Sequence, residues 1–508
     1  MYKRKSYFGN CTALVLFVLC AIAFPVHPSD AASVQVLNRP LTVFGLLSQH
    51  AQYGWEDEFD THNGINQALS TLIIEGDYRP TDILKLYGMV SLAGDLAYLI
   101  NNDDSNWKRK QFDKSDELAF DDEYCQILRE VHLSYTPGNS LFRVGKQIVS
   151  WGEMIGFTLL DVINPADVRR GSTDLEFEVL KVPTWMVMYE QALPISTDWI
   201  SSIGIQFVYD PNADSDIYTQ GGEYGNDKAG VWAAHAEAPP PYLIYPPGTL
   251  IGSRTLALDK PEEWSDARTI GFRVQAYLGQ AVTTLNFLYG RDTSPLIYSA
   301  GMFNVSTVDD QPLLHFNQAG FFPIRKMVGG MFARELLFMP RIGGITSPML
   351  RFEWAYFWDS QFVPMIGLNP KTESHDDIRG ALSLELGVPI RWLNLHQMFK
   401  FNAAYSLKHI TDLESGSANT IIGTMGPVQD YNHTSTFSVS TNYWASRILP
   451  SVNWFRDWTN EADTLNFRIS YVPNSTWTYA LGARYFYSKA GVFDHKNNVS
   501  FKIQYKFN

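Results

Sequence analysis

The chain has 508 residues, including 31 Phe, 26 Tyr and 14 Trp, so that 14% of it is aromatic and only 18% charged. Hydrophobic residues make up 45% and the mean hydropathy is −0.15. That is too aromatic for a disordered chain, and no apolar run of roughly 20 residues for a helical membrane bundle follows the N-terminal region. A large globular β or mixed protein remains, as does a membrane β-barrel, whose alternating strands average to a mild hydropathy.

Residues 1–31 read as a secretory signal. Lys3, Arg4 and Lys5 form its positive end, 12–24 its apolar stretch, and Ser29-x-Ala31 the small residues of a cleavage site. Cys20 has no small residue before it of the kind a lipoprotein signal needs. Cleavage takes 40 basic residues to 37 and 53 acidic residues to 52, a net charge of −15. It also leaves Cys125 as the one cysteine, which excludes an internal disulfide scaffold. An isoelectric point near 5.3 argues against nucleic acid as a partner.

From about residue 41 to the end, apolar and polar residues alternate with period 2. In chain order the pattern predicts strands near 41–53, 67–77, 82–98, 126–136, 140–151, 183–191 and 199–210. It continues near 269–278, 282–290, 328–338, 349–359, 379–388, 397–408 and 434–444. A strand near 451–457 and three more at 463–472, 476–487 and 499–507 bring the total to eighteen. The strands near 328–338 and 451–457 have the weakest pattern, so sixteen is the alternative count. The clearest runs are 7 to 12 residues long. That matches the ~9–11 tilted residues that cross a bilayer and exceeds the ~5–6 of ordinary globular strands.

Tight turns are expected at Tyr78-Arg79-Pro80-Thr81, Pro137-Gly138-Asn139, Leu278-Gly279-Gln280 and Val472-Pro473-Asn474. They take turns along the chain with longer polar connections such as 54–66, 99–125, 152–182, 211–268 and 409–433. A membrane barrel has this asymmetry, with short periplasmic turns and longer external loops. Residues 32–508 therefore read as one all-β domain, a transmembrane antiparallel β-barrel. In the last strand Val499, Phe501, Ile503, Tyr505 and Phe507 share one face, and Ser500, Lys502, Gln504 and Lys506 the other. With Trp477, Tyr479, Tyr485 and Tyr487, these rings read as lipid-facing surface and interfacial girdles. The terminal strand is similar to the signal read by the outer-membrane insertion machinery, although Asn508 follows the usual final Phe.

Catalytic signals are missing. There is no His-Glu-x-x-His, no Gly-x-Ser-x-Gly elbow and no Gly-rich phosphate loop. Carboxylate runs such as Asp57/Glu58 and Asp121/Asp122/Glu123 read as solvated loop charges. No catalytic residue, metal or cofactor is expected, and the acidic loop 101–123 is expected to solvate the outer face, with bridging of lipopolysaccharide through divalent ions as the alternative.

The most distinctive stretch runs from Phe142 to Arg170. Its strand half includes Gly145, Lys146, Gln147, Trp151, Gly152 and Glu153. Its second half concentrates Asp161, Asn164, Pro165, Asp167, Arg169 and Arg170 in ten residues. Alternation from Phe142 and Val144 would point Lys146 at lipid, which costs about 2–4 kcal/mol at the bilayer midplane. A bulge at Gly145 is the expected repair.

Gly145–Glu153 and Val162–Val168 resemble the Gly-[Arg/Lys]-Gln-x-Val-Ser-Trp-Gly-Glu and Val-Ile-Asn-Pro-x-Asp-Val elements of a family of Gram-negative outer-membrane proteins known as domain of unknown function 1302. Leu180-Lys-Val-Pro183 is similar to the family's following Leu-Pro-Val-Pro. This chain has Leu159-Leu160-Asp161 where relatives often have Gly-Ile-Asn. The resemblance implies an outer-membrane barrel tied to transport of hydrophobic or lipid-like compounds beside an inner-membrane exporter. It brings no catalytic residues.

A barrel of 16–18 strands leaves an aqueous channel unless something fills it. The functional expectation is that 152–182 folds inward and narrows that channel. Arg169 and Arg170 facing Asp161, Asp174 or Glu176 would then set a transverse field selecting by charge and size. In the competing reading these groups only pair with one another and pin the loop to the wall. At the level of the whole protein, a channel for small or hydrophobic solutes competes with a plugged barrel acting as receptor or scaffold of an envelope transport complex. The connection 211–268 is the longest irregular stretch, with prolines flanking the apolar Tyr242–Tyr245.

Overall fold

The computed structural model describes residues 32–55, 64–100, 127–154, 159–167, 180–216, 250–259, 268–299, 304–308, 311–337, 347–363, 372–413, 428–489 and 496–507. The expected signal segment 1–31 and the acidic loop 101–123 lie outside these residues.

The chain begins with β1 (Ala32–Val36) and β2 (Arg39–Gly54), followed by β3 (Gly64–Thr81), β4 (Leu84–Asp95), a single helical turn α1 (Ala97–Ile100), β5 (Leu128–Tyr135) and β6 (Ser140–Gln147). Next come β7 (Thr184–Leu193), β8 (Ile200–Asp210), β9 (Leu250–Asp259), β10 (Thr269–Leu278) and β11 (Ala281–Arg291). Three short-to-medium strands, β12 (Leu296–Ser299), β13 (Asn304–Val308) and β14 (Gln311–Phe321), precede β15 (Ile324–Glu335), β16 (Met349–Phe362), β17 (Glu373–Val388) and β18 (Phe399–Ile410). The chain ends with β19 (Tyr431–Ser440), β20 (Ile448–Asp457), β21 (Ala462–Tyr471), β22 (Trp477–Ser488) and β23 (Asn498–Phe507).

Eighteen of these strands, β2–β8, β10, β11 and β15–β23, form one closed antiparallel barrel in sequence order. It closes by pairing β23 with β2, from Gly45↔Phe507 to Gly54↔Asn498. At the seam the Phe507 ring lies over Gly45, where a Cβ would come within 2.0 Å of it. All eighteen expected strands are present, including β15 and β20, the two with the weakest sequence pattern.

The register sorts side chains into two faces. Outward-facing Trp185, Phe207, Phe287, Leu382, Leu481 and Phe501 are 40–60% exposed, as suits a wall surrounded by hydrocarbon. At the short-turn rim Trp477 packs on Tyr505, with ring centroids 4.7 Å apart, and Tyr479 and Phe507 extend the row. At the opposite rim Tyr431 stacks on His409 at 4.2 Å, and Arg456 lies over Trp458. These two bands are the girdles that the alternating aromatics lead one to expect.

Several details differ from the sequence pattern. The chain turns at Asp82 and Ile83, while Tyr78–Thr81 lie within β3 as a register irregularity. Pro80 lacks a ladder donor and is accommodated where pairing is already broken. Between β10 and β11 the turn falls as expected, with Gly279 at φ 60°. The connection 336–348 is long although it lies on the short-turn side. Part of 211–268 is not irregular. Its β9 pairs in parallel with β14, which also pairs with β12 and β13, giving a four-stranded sheet separate from the barrel sheet. Tyr242–Tyr245 lie outside the described residues.

Candidate functional site

The segment that leaves β6 and returns at β7 is fastened first at its two ends. Gln147 is fully buried and donates from Nε2 to Met186 O at 3.0 Å. Ile148 N donates to Glu130 Oε2 at 3.2 Å. Asn164, also buried, ties three stretches together: its Oδ1 accepts from Val149 N at 2.7 Å, and its Nδ2 donates to Gln147 O and Val182 O, both at 3.1 Å. Pro165 needs no partner for a backbone N–H, and its carbonyl accepts from Val182 N at 2.9 Å. Asp167 N donates to Leu180 O at 2.7 Å, so Ala166 and Lys181 form a short antiparallel bridge.

Between these ties the segment lies against the inner wall. Trp151 and Leu160 are wholly buried, in one cluster with Val149 and Ile163. The wall contributes inward-facing Met186, Met188, Val208, Leu288, Met327 and Ala355. Trp151 donates from Nε1 to Gln206 Oε1 at 2.6 Å. Its ring sits so close to Gly271 of β10 that a Cβ there would meet it at 2.7 Å. Leu160 presses on Gly329 of β15 in the same way, also at 2.7 Å. Glycine within a strand marks such close approaches.

Glu353 of β16, fully buried on the inner face, is the polar anchor. Its Oε1 accepts from Glu153 N at 2.8 Å and Met154 N at 3.1 Å, and its Oε2 accepts from Leu159 N at 3.2 Å. Three convergent N–H groups on an ionised acceptor are charge-assisted bonds, stronger than neutral ones. Gly152 passes close by, its Cβ position 3.4 Å from Glu353 Oε1. Glu153 turns its own carboxylate toward Arg273 of β10 at 4.0 Å.

Asp161 pairs with Lys181 across the segment at 2.9 Å, and the Arg129 guanidinium donates to Lys181 O. From the wall, Arg325 Nη2 donates to Val162 O at 2.6 Å, while its Nη1 reaches Asp292 at 3.3 Å. Ala166 N donates to Asp216 Oδ1 at 2.8 Å. Of the expected site residues, Asp161 and Asn164 make the contacts given above, and Asp167 is buried. Arg169, Arg170, Asp174 and Glu176 lie outside the described residues.

Gly145 departs from the expected repair. The pairing of β6 with β5 and β7 runs through it without a shift, from Val144 to Lys146. The backbone turns instead, with Gly145 at φ 139° and its Cβ position 2.2 Å from Val131 O, a place no other residue fits. Lys146 stays opposite Trp185 by register yet is buried, and its Nζ donates to Leu128 O at 2.8 Å. A carbonyl partner thus accomplishes what a bulge was expected to do.

Glu353, Arg325, Gln206, Gly271 and Gly329 were not singled out from the sequence. The glycines inside strands and the carboxylate amid the apolar residues of β16 were the available signals. No group of three or more His, Cys, Asp or Glu among the described residues is arranged to hold a metal ion.

A closed 18-stranded antiparallel barrel with an apolar outer belt and a segment fastened to its inner wall is the architecture of a membrane β-barrel protein. The family described as "Protein of unknown function (DUF1302)" matches residues 98–507, and the chain belongs to it. Among curated proteins none matches. In three dimensions the chain is similar to Pseudomonas aeruginosa OpdK with vanillate, at 7% identity and a TM-score of 0.47, covering 92% of this chain and 98% of that one. Pseudomonas aeruginosa OccK5 (OpdH) gives 8% and 0.45, covering 92% and 97%. Acinetobacter baumannii OccAB3 gives 7% and 0.45, covering 93% and 100%.

Proposed function

We propose that this protein is an outer-membrane channel passing small or hydrophobic solutes, with the segment from Ile148 to Val182 narrowing the lumen. The observation that carries the reading is the seat of that segment. Trp151 against Gly271, Leu160 against Gly329 and Glu353 beneath three backbone N–H groups fix it on the inner wall. An 18-stranded barrel encloses more space than its own inward side chains fill, so a wall-bound segment sets the width of what remains. Arg169 and Arg170 stand two and three residues beyond the fastened Asp167 in the sequence and would bring positive charge to the constriction.

The apolar belt and two aromatic rims support an outer-membrane location in contact with lipid and lipopolysaccharide. The terminal strand, with Phe507 at the closure seam, is the element offered to the insertion machinery. An inner-membrane exporter is the partner the family suggests.

Liposome swelling with purified protein tests the channel. Swelling in small solutes supports it, whereas sealed liposomes favour a plugged barrel serving as receptor or scaffold. Replacing Arg169 and Arg170 by Ala should change single-channel conductance or ion preference; if neither moves, these two residues have no part in the pore.

A further inference from the structure

Two neighbouring turns on the short-turn rim carry a bare apolar cluster. Between β17 and β18 the turn 389–398 exposes Trp392, Leu393 and Leu395 at 83%, 46% and 69%, and between β19 and β20 the turn 441–447 exposes Trp444 at 74%. The two turns are locked together. Asn394 is buried, donating from Nδ2 to Thr441 Oγ1 at 3.1 Å and to Asn442 O at 2.8 Å, while its Oδ1 accepts from His396 N and Gln397 N. Thr441 Oγ1 in turn donates to Met398 O at 2.9 Å. Trp444, Ala445 and Ser446 have φ of 51°, 52° and 66°, a left-handed run that non-glycine residues adopt at a cost. Arg447 N closes this run on Tyr443 O at 3.0 Å. A fixed platform thus holds the apolar side chains outward.

The platform lies on the membrane side of the wall. Ile448 stands opposite Tyr471, and Tyr471 opposite Tyr479, in the outward aromatic row that runs on through Trp477 to Tyr505. Tyr443 bridges to Ile448 and so shares this face, and its hydroxyl donates to Leu393 O at 3.4 Å. The turn 389–398 is thereby drawn toward the outer surface beside the girdle. Tryptophan favours this boundary between hydrocarbon and headgroups.

Charge agrees with that position. Neither turn contains Asp or Glu, nor does the adjoining turn 472–476, whose Val472 N donates to Arg447 O. Arg391 and Arg447 are exposed, and Arg391 Nη1 donates to Leu395 O at 2.7 Å, which keeps its charge beside the apolar residues. The other described short turns with bare apolar side chains lack this combination. Ile83 adjoins Asp82, Ile195 and Trp199 share a turn with Asp198, Leu337 lies two residues from Glu335, and past Leu37 the neighbouring Arg39 is paired with Asp82.

We propose that the turns 389–398 and 441–447 form a seat for an anionic phospholipid in the leaflet on the short-turn side. Trp392, Leu393, Leu395 and Trp444 enter the boundary between acyl chains and headgroups. Arg391 and Arg447 meet the lipid phosphate, their stems lying along apolar surface and their heads in the polar layer. Continuity with the outer belt favours lipid over a soluble partner, which would have to displace acyl chains from the girdle. The seat needs the membrane wall and holds whether or not the lumen conducts.

The test is photo-crosslinking of the full-length protein in phosphatidylcholine nanodiscs holding a few per cent of a probe lipid with a diazirine near its acyl carbonyl. The probe is phosphatidylglycerol in one arm and phosphatidylcholine in the other, and the labelled peptides are mapped by mass spectrometry. Phosphatidylglycerol should label 389–398 and 441–447 about tenfold more than phosphatidylcholine does, and Arg391→Gln/Arg447→Gln should bring that ratio close to one. Equal labelling by the two lipids in the wild type overturns the proposal, as does a ratio unchanged in the variant. Absence of lipid labelling at these turns, with Trp392 and Trp444 oxidised by hydroxyl radicals in the same nanodiscs, also overturns it and leaves the platform to a soluble partner. If the double variant lacks heat-modifiable migration, Arg447→Gln alone takes its place.

Discussion

Replacing Glu353 by Ala removes the acceptor of three backbone N–H groups, those of Glu153, Met154 and Leu159. Bonds to a charged acceptor contribute about 1.5–3 kcal/mol each. The three are held by one side chain and are not additive, so the cost of undocking should fall by about 4 kcal/mol. At about 1.4 kcal/mol per tenfold, that raises the undocked population by roughly a thousandfold. Glu353→Gln keeps one carbonyl oxygen, able to serve the Glu153 and Met154 amides, and should lose about half as much. Hydrogen exchange of the protein in nanodiscs, followed over 149–163, reads the effect directly. Exchange should accelerate strongly in Glu353→Ala and less in Glu353→Gln, with strands such as β21 and β22 unchanged. Wild-type exchange rates in Glu353→Ala would refute the anchor role.

Other perturbations probe the rest of the seat. Trp151→Ala empties a fully buried site and should cost about 3–5 kcal/mol in urea unfolding. Gly271→Leu, which occupies the same space from the wall, should displace the segment and lower its exchange protection without deleting any hydrogen-bonding group. Asn164→Ala loses three bonds within the segment and should cost about 2–4 kcal/mol. Asn164→Asp keeps the bond from Val149 N and loses the two donors, and should fall between. At the closure seam, Gly45→Val drives a side chain into the Phe507 ring and should reduce the heat-modifiable barrel fraction seen on a gel; a wild-type fraction would mean the ring moves aside freely.

The strands were legible because alternation and turn residues are local signals. The two weakest show what blurs them. In β15 the inward residues Met327 and Met331 are apolar because they face the docked segment rather than water, so both faces read alike. In β20 the inward Phe455 and the outward Arg456, paired with Asp463 at the rim, invert the usual order. Of the site, the motif stretch was visible; its Asn164 bonds to Val149, Gln147 and Val182, and its Asp161 pairs with Lys181. Glu353 was hidden because its partners lie about 200 residues away in sequence. Strand β9 was missed for the same reason, since its parallel pairing with β14 across distant connections leaves no hairpin signature.

The central claim, that a wall-docked segment sets the width of a conducting lumen, is tested most directly by single-channel conductance of the wild type and of Trp151→Ala/Glu353→Ala. The wild type should conduct, and the double variant should conduct more, with larger and noisier openings. A wild type that does not conduct, or a double variant that folds and conducts identically, would contradict it.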